Sequence, residues 1–64
     1  DWMNMGHVYF SMHQIKQAVV HYQKARSFEE SHSAFIKKFE KDQNALLAQG
    51  LNEEDIRIML DLLV

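Results

Sequence analysis

The chain of 64 residues contains no cysteine, no proline and only two glycines. Without cysteine it forms neither a disulfide nor a cysteine-ligated metal site, and the lack of cysteine is compatible with any compartment. The absence of proline and the hydrophobic content of 47% favour helices joined by very short turns. A chain of this length makes one small domain at most, and such a domain buries only about 60% of its unfolded surface.

An excess of charge of one sign is also lacking, since seven basic and nine acidic residues give a formal net charge of -2. Nucleic acid demands a basic stripe, and an anionic membrane surface demands a polybasic cluster. No apolar run approaches the roughly 18 residues of a membrane span. No basic start followed by an apolar run marks a signal peptide. We therefore expect neither nucleic acid nor membrane as a partner.

The first helix is predicted to run from about Trp2 to Met12, with Asp1 as its N-cap. Five apolar residues at three- and four-residue steps form one helical face: Trp2, Met5, Val8, Tyr9 and Met12. Gly6 costs roughly 1 kcal/mol in a helix interior relative to alanine. The usual reason to keep such a glycine is the close approach of a second helix.

The second helix is predicted from about Gln14 to Arg26. Its apolar face contains Ile15, Ala18, Val19, Tyr22 and Ala25. The link near His13 is so short that the two helices must form an antiparallel hairpin.

The third helix begins within the polar segment 27–33 and extends to about Gln49. Ser27 and Glu30 fit a capping box, while Ser31 or Ser33 are alternative caps. The apolar side, made of Ala34, Phe35, Ile36, Phe39, Leu46 and Leu47, is interrupted by residues 42–44. The sequence leaves open whether this helix is straight or broken there.

A well-defined turn precedes the predicted fourth helix. Gly50 suits the left-handed conformation that ends a helix, and Asn52 caps the next one ahead of three acidic residues. Leu51 and Ile56 are spaced as a hydrophobic staple. The apolar stripe of this helix, Ile56, Met59, Leu60 and Leu63, is widened by Ile58, Leu62 and Val64.

The spacing of the first two helices carries a family resemblance. It reads Trp2-x-x-Met5-Gly6-x-x-Tyr9 and then Ala18-x-x-x-Tyr22-x-x-Ala25. The tetratricopeptide repeat has W-x2-L-G-x2-Y, then A-x3-F and a final proline. Met and Tyr replace the Leu and Phe, and Glu30 stands near the position of the proline. Residues 2–25 therefore resemble one tetratricopeptide repeat.

The resemblance implies an all-α fold of about four antiparallel helices, part of a solenoid. Residues 1–26 would be the repeat hairpin, with the signature residues Trp2, Met5, Gly6, Tyr9, Ala18, Tyr22 and Ala25 in its core. A shift by the period of about 34 residues places Glu40 on Gly6 and Gln43 on Tyr9, so residues 27–64 are interpreted as a capping helix pair. The chain starts at Asp1, and we expect it to be the end of a longer repeat protein.

No pattern in the chain predicts catalysis, a metal site or a cofactor. The four histidines, His7, His13, His21 and His32, form no H-E-x-x-H pattern and are expected on the solvent side. The acidic clusters 29–30 and 53–55 stand at helix starts, where the helix dipole explains them. We therefore predict that the chain is not an enzyme.

The resemblance implies a protein or peptide as partner. In this family the first helix of each pair lines a concave groove, and the residues of helix one off the packing face are Met3, Asn4, His7, Phe10 and Ser11. Of the polar residues that grip a C-terminal carboxylate in some members, only Asn4 is present. We therefore expect an apolar or mixed peptide beside Met3 and Phe10.

The sequence is also compatible with a second function. The segment would then be purely structural, as an end cap or a self-associating module. The apolar surfaces of the last helix and around Trp2 would meet another copy or missing repeats of the parent chain.

Overall fold

The computed structural model describes all 64 residues as five helices without a strand. The helices are α1 (Trp2–Ser11), α2 (Ile15–Ser27), α3 (His32–Lys41), α4 (Gln43–Ala48) and α5 (Glu53–Leu62). They pack into a domain of 30 × 20 × 19 Å. The predicted all-α class is confirmed, but the count of about four helices is wrong.

The extra helix arises because the predicted third helix is broken at Asp42. This residue has φ -99° and ψ 1°, ends α3 and immediately precedes α4. Aspartate is a poor residue for a helix interior because its side chain competes for hydrogen bonds elsewhere. Here the Asp42 carboxylate accepts a hydrogen bond from His7 of α1. The break at Asp42 therefore separates α3 from α4.

Helices α1 and α2 form the predicted antiparallel hairpin. Its turn places His13 at φ 59°, an uncommon conformation for a residue other than glycine, and Gln14 donates to the Tyr9 carbonyl at 2.9 Å. Gly6 lies against the ring of Tyr22. A Cβ atom built on Gly6 would stand 2.5 Å from Tyr22 Cδ1, so the close helix approach predicted for this glycine is confirmed.

Side-chain caps fix the starts of three helices. The Asp1 carboxylate accepts from the amide of Asn4 at 2.8 Å, and Asn52 forms a reciprocal capping box with Asp55. Ser31 rather than Ser27 caps α3, since its hydroxyl accepts from the amide of Ala34. Gly50 adopts φ 102° as predicted, and the Leu51 amide returns to the Leu46 carbonyl at 3.2 Å. Gly50 and the capping box of Asn52 together define where α5 begins.

The core consists of eleven buried apolar residues drawn from all five helices and the 50–52 turn. Four aromatic rings lie at its centre, Phe10 of α1, Tyr22 of α2, and Phe35 and Phe39 of α3. Their centroids are 5.3 to 6.4 Å apart in tilted or edge-to-face pairs, the arrangement that aromatic quadrupoles favour. Ile56 and Met59 of α5, with Leu63 directly after its end, complete this core.

Candidate functional site

The residues expected to line a groove do not share an open face. Phe10 is only 1% exposed and belongs to the core, which corrects its expected place off the packing face. Met3 is half-buried against the same core, and Ser11 is half-buried with its hydroxyl donating to the His7 carbonyl at 2.8 Å. Asn4 alone is exposed. This face of α1 is covered by the chain's own later helices.

The remaining member of that set, His7, lies in a hydrogen-bonded network. Its Nδ1 is 2.6 Å from the hydroxyl of Tyr22, and its Nε2 is 3.0 Å from Oδ2 of Asp42. The ring of Phe39 packs edge-on against the imidazole at 5.3 Å. We call the three polar residues Tyr22, His7 and Asp42 the His7 network. It joins α1, α2 and the break between α3 and α4.

Because a carboxylate only accepts hydrogen bonds, Asp42 determines which atoms donate and which accept in the His7 network. Asp42 only accepts, so Nε2 of His7 carries the proton and donates it. Nδ1 is then unprotonated, and its lone pair accepts the hydrogen bond that the Tyr22 hydroxyl donates. No buried side-chain nitrogen or oxygen in the molecule lacks a partner. The network is therefore fully satisfied with His7 neutral.

Burial dominates the electrostatics of the His7 network. Desolvation lowers the pKa of His7, and it outweighs the hydrogen bond and the charge of Asp42, which both act in the opposite direction. Burial also raises the pKa of Tyr22, with a smaller contribution from the Asp42 charge. Because both ring nitrogens of His7 are engaged, the imidazole presents no free lone pair for proton abstraction. The network acts as a polar link between helices.

The apolar face predicted for α1 lies largely on the outside of the molecule. We call it the outer stripe: Trp2, Met5, Val8, Tyr9 and Met12. Trp2, Met5, Val8 and Met12 are 42%, 41%, 48% and 56% exposed, and Tyr9 is half-buried. Of the seven signature residues expected in the core, Gly6, Ala18, Tyr22 and Ala25 are buried, whereas Trp2 and Met5 are not. Their expected burial is corrected, because the single hairpin has no further helix on this side.

Helix α2 holds the aromatic members of the outer stripe in place. The ring of His21 lies 5.5 Å from that of Trp2 and 4.9 Å from that of Tyr9, tilted against both. The ammonium of Lys24 stands 5.9 Å from the Trp2 ring, within the range of a cation–π contact. The stripe is thus supported from one side and open on the other.

The outer stripe carries no formal charge. All charged residues other than Asp1 and Lys16 lie beyond Gln23 in the sequence. Protein interfaces are depleted of charge at their centre and enriched in tryptophan, tyrosine and methionine. The spacing of the stripe was visible in the sequence, but only the structure shows that it points outward.

A second apolar surface is formed by α5 and the hairpin turn. Ile58 and Leu62 are about half exposed and border a cavity of about 170 Å³ together with Phe10, His13, Ile15, Asp55 and Met59. Asp55 is the one acidic residue that lines this cavity, and α5 also carries Glu53, Glu54 and Asp61.

The structure brings together no group of three histidine, cysteine, aspartate or glutamate side chains that could hold a metal ion. None of the five helices has the length and apolar content needed to cross a membrane. Comparison of the chain with models of protein families, with curated proteins and with solved structures found no match.

Proposed function

We propose that the chain is a protein–protein interaction module that binds through the outer stripe and has no catalytic activity. The proposal includes the tetratricopeptide resemblance: α1 and α2 would be one repeat hairpin, and α3 to α5 would be the cap that ends a solenoid. The observation that carries it is the outer stripe, an exposed and uncharged face containing the only tryptophan, a tyrosine and two methionines.

The physical reason for binding is the burial of apolar surface. Removing such surface from water contributes roughly 25 cal/mol per Å², and four of the five stripe residues are at least 41% exposed. Association also costs several kcal/mol in lost translational and rotational freedom, so a single exposed helix gives modest affinity. A partner that presents a complementary helical hairpin would cover the stripe as a neighbouring repeat does in a solenoid.

The inner side of α1 explains why the groove expected from the resemblance is not the proposed surface. Helix α3 and the following helices cover Met3, His7 and Phe10. Asn4, which is exposed and lies one turn from Val8, supplies an amide at the border of the outer stripe. Among the residues first expected to contact a peptide, only Asn4 keeps that role in the proposal.

Site-specific photo-crosslinking tests the proposal. Benzoylphenylalanine at position 5 should give one discrete protein adduct in an extract of the source cells, identified by mass spectrometry. The same group at position 37, an exposed lysine of α3, is the matched control. A lack of adducts at position 5, or the same adducts at both positions, would contradict the proposed surface.

A further inference from the structure

We propose that a cavity between α1 and α4 binds a primary ammonium group on a short apolar stem, from a lysine side chain or a free alkylamine. This α1–α4 cavity has a volume of about 280 Å³ and is the largest of the three cavities in the molecule. Val8 is the one residue that it shares with the outer stripe. Its lining comes from α1, from the break after α3, and from α4 and its end: Asn4, His7, Val8, Asp42, Ala45, Leu46 and Gln49.

Asp42 carries the only formal charge in the lining of the α1–α4 cavity. Its side chain is 44% exposed, and its Oδ2 accepts the hydrogen bond from His7 at 3.0 Å, whereas no hydrogen bond within the chain reaches its Oδ1. The lysine and arginine side chains that form ion pairs do so with Glu29, Glu54 and Asp61. Asp42 therefore has no lysine or arginine of the chain as partner, and the cavity is negative.

His7 orients the Asp42 carboxylate without neutralising it. Burial lowers the pKa of His7, so the imidazole is neutral at neutral pH. Asp42 and Tyr22 are the titratable groups that face the ring. Burial raises the pKa of Tyr22, so this hydroxyl stays protonated and adds no charge. The negative charge of Asp42 is therefore left for a ligand.

The polar atoms around Asp42 match the donors of a primary ammonium, which has three N–H groups and no acceptor. Asn4 and Gln49 are exposed and use their backbone amides in helix hydrogen bonds, while their side-chain carboxamides have no partner within the chain. The two carboxamide oxygens and Oδ1 of Asp42 give one acceptor for each N–H. The apolar part of the lining contacts the methylene groups, as apolar surfaces do with the stem of lysine.

An NMR titration of the labelled chain with n-butylammonium at neutral pH and constant ionic strength tests the proposal. The side-chain NH₂ resonances of Asn4 and Gln49 should shift and saturate. We expect a dissociation constant on the order of 10 mM, because an ion pair open to water is weak. The compound 1-butanol has the same stem without the charge and should give no saturable shift. Equal shifts with both compounds, or shifts that do not saturate, would overturn the proposal.

Three variants locate the bound cation. Asp42→Asn keeps a carbonyl oxygen for His7 but removes the charge, and should weaken binding at least about 10-fold. Gln49→Ala removes one acceptor at an exposed position and should weaken it about 2- to 5-fold. Asp61→Asn removes an exposed carboxylate outside the cavity and should change nothing. Circular dichroism verifies folding. If Asp42→Asn does not fold, the comparison of Gln49→Ala with Asp61→Asn decides, and equal affinity in these two overturns the site.

The His7 ring gives an independent reading of the same site. A cation beside Asp42 disfavours a second positive charge on the imidazole, so saturating n-butylammonium should lower the pKa of His7 further. By linkage, protonation of His7 in acid should weaken n-butylammonium binding to the same extent. A pKa of His7 that rises or stays unchanged would contradict a cation at Asp42.

A comparison of ligands distinguishes the two sources of the ammonium group. Nα-acetyl-lysine N-methylamide should bind more tightly than n-butylammonium if the ligand is a side chain of a partner protein, and more weakly if it is a free amine. The photo-crosslinking test at position 5 is separate, since Met5 does not line the α1–α4 cavity. A failure of crosslinking would contradict the proposed function, whereas a failure of the titration would contradict the ammonium site.

Discussion

Helices α1 and α5 have the same length of ten residues and both begin with a side-chain cap, yet their exposed sides differ in charge. The outward side of α5 carries Arg57 between Glu54 and Asp61, at 3.0 and 3.4 Å. The outward side of α1 carries the outer stripe and no ion pair. The difference teaches that capping and length make a helix, whereas the composition of its second face decides whether the helix can remain exposed.

The largest expected effect distinguishes the two faces of α1. Phe10→Ala removes a ring from the core and should lower the free energy of unfolding by about 3–5 kcal/mol. This is a third or more of the stability expected for a domain of this size, which at roughly 0.05–0.15 kcal/mol per residue is about 3–10 kcal/mol. Urea unfolding at low protein concentration measures it. Val8→Ala, on the outer stripe, should change the value by less than about 0.5 kcal/mol; an equal loss in both variants would remove the distinction between the faces.

A smaller effect is expected where α1 meets α2. Gly6→Ala introduces a Cβ atom at 2.5 Å from a ring carbon of Tyr22, and overpacking of this kind costs about 1–3 kcal/mol. The helix propensity of alanine offsets roughly 1 kcal/mol of that cost. We expect a net loss of stability in thermal unfolding. A stabilised variant would mean that Tyr22 moves aside freely, which its hydrogen bond to His7 opposes.

The caps provide a closer test of the comparison between α1 and α5. Asn52→Ala removes a capping box at the start of α5, and we expect a loss of about 1 kcal/mol. Asp1→Ala should cost no more than this, because Asp1 accepts a single amide hydrogen bond without a reciprocal partner. Chemical unfolding of the two variants beside the unchanged chain measures both effects. A larger loss at Asp1 would contradict this ranking.

The last prediction concerns the pH dependence contributed by His7. Since the pKa of His7 is lowered in the folded protein, the unfolded chain takes up the proton first. The contribution of His7 to stability is complete above the unfolded value of 6.5 and is lost as the pH falls below it. An NMR titration of the His7 ring should give a midpoint below 6.5. A midpoint above that value would mean that the attraction of Asp42 outweighs burial.

Much of the fold follows from local chemistry and was predicted on that basis. Gly50 and Asn52 define a turn by backbone conformation and capping alone, and both act in the structure as predicted. Gly6 and the short link near His13 predicted the hairpin, because a glycine inside a helix and a short link leave few alternatives.

The parts that escaped prediction depend on contacts between distant residues. The break at Asp42 is held by a hydrogen bond to His7, 35 positions away, and no local pattern identifies that partner. Both faces of α1 contain large apolar residues, so periodicity could not tell which one turns toward α3. The structure places Phe10 inside and Met5 outside, which moves the candidate site to the opposite side of the helix.

The exposure of Trp2 determines what the fluorescence of the protein can report. It is the only tryptophan, and 42% of its surface is exposed in the folded chain. Its fluorescence therefore reports little on unfolding, which changes its contact with water only in part. The same emission would shift to shorter wavelength and resist quenching by acrylamide whenever another protein covers α1. The chain thus contains an optical probe of its own association, built into the surface where that association is proposed.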